Sequence, residues 1–206
     1  MTRPEIGCYR SHRAIWKKMQ TDNIAIALIL EDDFDVKGPL EDICNAVLKL
    51  DLKNCLVKFN NQKFSTKHII GNITENATLF CPASVQGLTT GYLLDNLAAS
   101  NLLLNSAKFS RPVDMDIKHW WEMGIIVLAV HPNLIFERNK KIDSSIQQSR
   151  NIARPKSLDQ RFWGLGKHLE YHYRYRTTLR AEEKKLSGLA NRLRVVNKEK
   201  LNEDCN

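Results

Sequence analysis

The chain has 206 residues, 43% hydrophobic and 26% charged, with a formal net charge of +8. That length suits one moderate domain, or a domain with a tail, and the composition excludes a disordered chain. No run approaches the ~20 apolar residues of a membrane span, and the first residues lack the apolar core of a signal peptide. The five cysteines are scattered without CxxC or zinc-site spacing, so a reducing cytoplasm is the expected compartment.

Residues 7–20 (GCYRSHRAIWKKMQ) read as a helix with Ile15 and Met19 on one face. Ile24 to Leu30 is an unbroken apolar run, hence a buried strand, and it stops at Glu31, Asp32 and Asp33. Three adjacent carboxylates repel one another in a low-dielectric cleft, and a hard divalent ion is the simplest relief. The alternative is a solvated acidic turn. Gly38-Pro39 breaks the chain ahead of a helix over 39–50, striped by Leu40, Ile43, Val47 and Leu50. Residues 55–59 (CLVKF) read as a second strand. Residues 60–82 are polar, with weak strands near 67–70 and 77–81 that suit a β-rich insertion or hairpin. A strand over 88–94 contains Gly91, which points to a bulge or to a close backbone approach.

A helix over 95–106 follows, with Leu97, Leu102 and Leu104 as core candidates. Pro112 opens a short helix in PVDMDIKHWWEM, and residues 125–130 (IIVLAV) form another apolar strand closed by His131-Pro132. After Arg138 the chain is polar and irregular to about 157, then basic and helical over 158–170 and 177–201. Alternating strands and helices predict an α/β sandwich over residues 1–157, with loops at 60–82 and 132–157, and a basic helical extension over 158–206.

Lys and Arg outnumber Asp and Glu from Arg138 onward, which points to an anionic partner. Tyr171, Tyr173 and Tyr175 interleave with His172, Arg174 and Arg176. That pattern fits attraction to an anionic membrane or a solvated helix that packs on the domain, ahead of nucleic-acid binding.

Five segments in order resemble glycosyltransferase family 25, the bacterial lipopolysaccharide and lipooligosaccharide biosynthesis enzymes. They are Glu5-Ile6-Gly7-Cys8 with Ser11-His12 and Trp16; Ala27 to Leu30 with Glu31-Asp32-Asp33; Thr90-Gly91-Tyr92; Arg111-Pro112-Val113-Asp114 with Asp116; and Pro132 with Ser144-Ser145-Ile146. The resemblance covers about residues 3–148 and implies a GT-A-like, Rossmann-like α/β/α sandwich. It also implies inverting, metal-dependent transfer of a hexose, commonly galactose, from a UDP-sugar to a saccharide acceptor at the inner face of the inner membrane. No apolar strand precedes the first motif, so the reading is of a domain truncated at its N-terminus, with an inactive family member as the alternative.

The resemblance makes the acidic cluster a DxD-like element. Asp33 and Asp35 are then the expected ligands of Mn²⁺ or Mg²⁺, with His131 as an additional ligand. Glu31, Asp32, Gly91 and His12 are expected at the donor. Asp114 and Asp116 are the candidates for the general base that inversion requires, and helix capping is the structural alternative for Asp114. His12 reads also as a buried histidine holding helix to sheet, and Trp120 and Trp121 as core or rim aromatics, with stacking on a sugar face as the alternative.

Overall fold

The computed structural model describes residues 1–60, 66–138, 170–182, 184, 186–191 and 193. Its first helix, α1, runs Arg3–Thr21, four residues earlier than the apolar spacing predicts. A capping box sets that start: Thr2 Oγ1 accepts from Glu5 N, and Glu5 Oε2 accepts from Thr2 N at 2.8 Å. Glu5, Tyr9, His12, Trp16 and Met19 recur every three or four residues and form its buried face.

The further elements are β1 (Ile26–Leu30), β2 (Phe34–Val36), α2 (Leu40–Leu48), β3 (Cys55–Lys58), β4 (Thr66–Thr74) and β5 (Ala77–Pro82). They continue with β6 (Gly91–Asp95), α3 (Asn96–Asn105), α4 (Val113–Lys118), β7 (Ile126–His131) and β8 (Ile135–Glu137). Asn23 and Asn54, at φ 55° and 60°, turn the chain just ahead of β1 and β3, and Asn tolerates that left-handed conformation better than most residues.

Six strands form one sheet in the order β1-β6-β3-β7-β5-β4, and β2 pairs with β8 in a second small sheet. The expected sandwich is present, because side chains alternate between two cores. Cys55, Val57, Leu93, Ile126, Leu128 and Val130 face one core with α2. Leu56, Tyr92, Leu94 and Val127 face the other with α1, α3 and α4.

Within the sheet only β3 and β7 pair in parallel, and the other pairings are antiparallel. Residues 66–82 are not a loop over the edge. They form a hairpin whose second strand pairs with β7, extending the main sheet. Antiparallel neighbours need only a short connection, here Glu75-Asn76, whereas parallel ones need a crossover. In α3 the buried residues are Ala98, Ala99 and Leu102, while Leu97 and Leu104 face solvent. The small-residue side of α3 faces the core shared with α1, which leaves both leucines outside.

Residues 170–182 are helical and belong to the packed body. Tyr171 and Tyr175 are buried against Trp120 and Trp121, and Leu186, Leu189 and Leu193 enter the opposite core. Trp120 and Trp121 are thereby committed to packing. The predicted helical residues 158–169 and 194–201 and the motif residues Ser144-Ser145-Ile146 lie outside the described residues. No described helix is long and apolar enough to cross a membrane.

Candidate active site

The acidic run forms the turn between β1, at the edge of the main sheet, and β2, in the small one. Glu31 N donates to Thr90 O, prolonging the β1–β6 ladder, and Arg138 N donates to Asp33 O, prolonging β2–β8. Two ladders thus fix the backbone on either side of the three acids.

Glu31 is the most closely held of them. Its Oε1 accepts from Thr89 Oγ1 at 2.5 Å and faces His12 Nε2 at 3.5 Å. His12 Nδ1 shares a 2.8 Å hydrogen bond with Tyr92 Oη, which also accepts from Trp16 Nε1 at 3.1 Å. A polar relay therefore runs from the core to the carboxylate. Burial opposes ionisation of Glu31, but the His12 and Thr89 hydrogen bonds outweigh it and hold the carboxyl below its usual range. His12 is buried, so it holds helix to sheet and also touches the site.

Asp32 is exposed. Asp33 Oδ1 is buried and takes no hydrogen bond, which is costly for a carboxylate and suits an oxygen-seeking cation. Glu137, opposite Phe34 in the β2–β8 pair, is pushed above its ordinary pKa by burial and then by Asp33 and Glu31. The charge of Asp33 and Glu31 thus acts across the β2–β8 pair on Glu137.

Beside the turn lies a cleft of about 480 Å³ lined by Asp35, Lys37, Asn60, Thr90, Asn133 and Arg138, among others. Asn60 is 2% exposed, and neither atom of its amide finds a partner. Thr90 Oγ1 and Asn133 Oδ1 are likewise buried and unpaired. Buried polar groups are ordinarily satisfied, so three orphans on one cleft wall point to a hydrogen-bonding ligand. His131 stands exposed at the end of β7, opposite Thr78 and before a cis bond to Pro132. From that segment it is Asn133 that reaches the cleft wall.

Gly91 pairs with Leu30 in regular register, without a bulge. The close approach expected there is made by Ile135, whose side chain occupies the space that a Cβ would need.

The two candidate bases differ sharply. Asp116 is 4% exposed; its Oδ2 accepts from Tyr9 Oη and its Oδ1 from Arg111 Nε at 2.7 Å. Oδ2 thereby ties α4 to α1, and Oδ1 is held by Arg111 just ahead of α4. Asp114 is half-buried, accepts from Met115 N at 2.9 Å, and has Oδ2 against the backbone of Gly87. The N-cap position belongs to Pro112 instead, with no side-chain cap.

Lys58 is the principal residue that pattern reading misses. It ends β3, is 1% exposed, and donates from Nζ to Gln86 O at 2.5 Å and Leu88 O at 2.6 Å. Burial pushes its pKa down to about 7, against the pull of Asp114 and Glu31. A neutral amine has two N–H donors, matching the two carbonyls. Lys58 thus pins the 86–90 segment that carries Thr89 to Glu31 and Gly87 to Asp114. The signal was present, since a lysine within the apolar run CLVKF needs a partner or a task.

Comparison with known proteins places the chain in a family. The model of glycosyltransferase family 25 (LPS biosynthesis protein) matches residues 1–117, which include α1, the acidic turn, Lys58, Gly91 and Asp114. A curated relative, the probable inactive glycosyltransferase 25 family member 3 of Bos taurus, is 27% identical over 137 residues. That match spans 65% of this chain and 22% of the relative's length. The family match covers more than half of the sequence, and the chain belongs to glycosyltransferase family 25.

Proposed function

We propose that this chain transfers a hexose, galactose in the leading case, from a UDP-sugar to a saccharide acceptor of the lipooligosaccharide type, with inversion. The observation that carries this reading is the cleft beside the acidic turn, where Asn60, Thr90 and Asn133 present unpaired buried polar atoms. Neutral amides and hydroxyls in a cleft suit a polyhydroxylated ligand, and Lys37 and Arg138 on the same wall suit its anionic part.

The chemistry follows from the groups in place. Asp33, with its unpaired Oδ1, and Asp35, on the cleft wall, would hold a divalent ion. When bound there, Mn²⁺ or Mg²⁺ supplies neutralising charge for a leaving diphosphate. Glu31 is oriented by His12 and Thr89 and so accepts a hydrogen bond from a donor hydroxyl without reorganising. Asp114 is the base in this scheme, because Asp116 has both oxygens committed to Tyr9 and Arg111. The basic face of the C-terminal helix, with Arg174, Arg176 and Arg180 toward solvent, supports attraction to the anionic inner face of a membrane.

A second reading, a family fold that binds without transfer, is favoured by the words "probable inactive" in the name of the Bos taurus relative. Titration of the chain with UDP-galactose and Mn²⁺, followed by release of UDP, tests both. The transferase reading expects Mn²⁺-dependent binding, lost in Asp33→Ala, and turnover with a saccharide acceptor. Binding without UDP release supports the second reading, and no binding by the wild-type chain overturns the first.

A further inference from the structure

We propose that Cys8, His12 and Glu31 form a binding site for a borderline-soft divalent cation of the Zn²⁺ class, separate from the oxygen-ligand site at Asp33 and Asp35. The Cys8 thiol, a His12 ring nitrogen and a Glu31 carboxylate oxygen lie within 4.8 Å of one another, and no other such cluster occurs among the described residues.

The arrangement has a simple origin. Cys8 and His12 are four residues apart on α1, so they stand one above the other on one face. Glu31 arrives from the end of β1, and only the packing of α1 on the sheet brings it to them. Neither the cysteine count nor the local spacing shows a zinc motif, because the third ligand is remote in the chain.

Three features favour a cation here over a packing accident. First, the donor set is one sulfur, one imidazole nitrogen and one carboxylate oxygen, a mixture that Zn²⁺ accepts and that Mg²⁺ and Ca²⁺ do not. Bonds of about 2.0–2.3 Å place tetrahedral ligand atoms about 3.5 Å apart. His12 Nε2 and Glu31 Oε1 already stand at 3.5 Å, and the thiol, within 4.8 Å of both, needs to close by at most about an ångström.

Second, supporting contacts are already built. Nδ1 of His12 is engaged by Tyr92 Oη, which leaves Nε2 turned to Glu31, and Thr89 orients the carboxylate. Partners of this kind aim ligating side chains in known metal sites.

Third, the surroundings are negative. Glu31 and Asp114 both act on Cys8, which burial and these charges hold as a thiol with its pKa raised to about 11. A cation reverses that balance. On coordination the thiol proton leaves for solvent, sulfur binds as thiolate, the Nε2 lone pair binds, and the imidazole proton resides on Nδ1 toward Tyr92. Three protein ligands leave a fourth position open. Because Glu31 is also the proposed donor contact, occupancy by Zn²⁺ withdraws that carboxylate from any donor. The inference does not depend on the proposed transfer and holds equally for an inactive family member.

Titration of the full chain with Co²⁺, then Zn²⁺, tests it without any assay of activity. The expected result is a sulfur-to-cobalt charge-transfer band corresponding to one thiolate per chain, abolished by Zn²⁺. Cys8→Ser should remove the band, Tyr92→Phe should weaken Zn²⁺ binding about tenfold, and Asp33→Ala should change neither. In the unmutated protein, Zn²⁺ should also shield Cys8 from alkylation, read by mass spectrometry at that residue. A wild-type chain without the band, a band that persists in Cys8→Ser, or alkylation of Cys8 unaffected by Zn²⁺ would each overturn the proposal.

Discussion

Tyr9 Oη donates to Asp116 Oδ2 at 2.6 Å, joining residues 107 positions apart and tying α1 to α4. With Arg111 on the other oxygen, both carboxylate oxygens already accept hydrogen bonds. The pair Asp114 and Asp116, indistinguishable by spacing, is thereby divided into an available group and a structural one.

That division predicts opposite phenotypes. Asp116→Ala leaves Arg111 and Tyr9 without their shared partner and should cost about 3 kcal/mol. The thermal midpoint should fall by roughly 6–12 °C for a chain of this size. Asp114→Asn should move stability by less than about 0.5 kcal/mol and lower transfer at least about 100-fold. Thermal melts and UDP release on the two variants check both statements.

Lys58 predicts a pH dependence of stability. Its folded pKa of about 7 lies below its ordinary 10.5, so between those values the unfolded chain holds the extra proton. Stability therefore gains a rising contribution from about pH 7 to 10.5, while below pH 7 the buried ammonium persists as a constant cost. Lys58→Met should remove that rise. At pH 9 it should also destabilise by roughly 2 kcal/mol, because the carbonyls of Gln86 and Leu88 lose their donor. Denaturant unfolding of both proteins across this range measures the difference, and parallel pH curves would refute it.

Gly91→Ala separates packing from ligand contact. The added methyl overlaps Ile135, and overpacking of this kind costs about 1–3 kcal/mol. Ile135→Val or Ile135→Ala in the same chain should recover part of that loss. A double-mutant cycle in urea reads the coupling, and strict additivity would show that Ile135 is not what requires the glycine.

The acidic turn predicts a proton linkage. Glu137 is raised by burial, Asp33 and Glu31, so a divalent ion at Asp33 should lower it toward the ordinary range. Mn²⁺ binding should therefore tighten as pH rises through the titration of Glu137. Glu137→Gln should flatten that dependence while Asp33→Ala abolishes binding. Calorimetric titrations over pH 4.5–7 give both results.

Much of this site was legible along the chain. The apolar run ending at Glu31-Asp32-Asp33 marks a strand and its acidic turn, because hydrophobic burial and carboxylate repulsion both act locally. Helix and strand periods placed β1, β3, β7 and α2 close to their observed positions. What escaped were features fixed by partners distant in sequence. The hairpin over 66–82 joined the main sheet because β7 offered an antiparallel edge, which its own strand pattern did not show. Leu97 and Leu104 stayed outside because alanines set the close face of α3.

The sequence by itself determined the family motifs, the alternating α/β order and the acids that gather charge at one strand end, since each depends on neighbours within a turn or two. Only the tertiary structure decided which groups share that charge. The approach of α1 to β1 brings His12 and Cys8 to Glu31, and the end of β3 brings Lys58 beneath the segment carrying Thr89. Contacts of this kind arise from packing two layers on a sheet, and no local pattern encodes which remote side chain will fill the space.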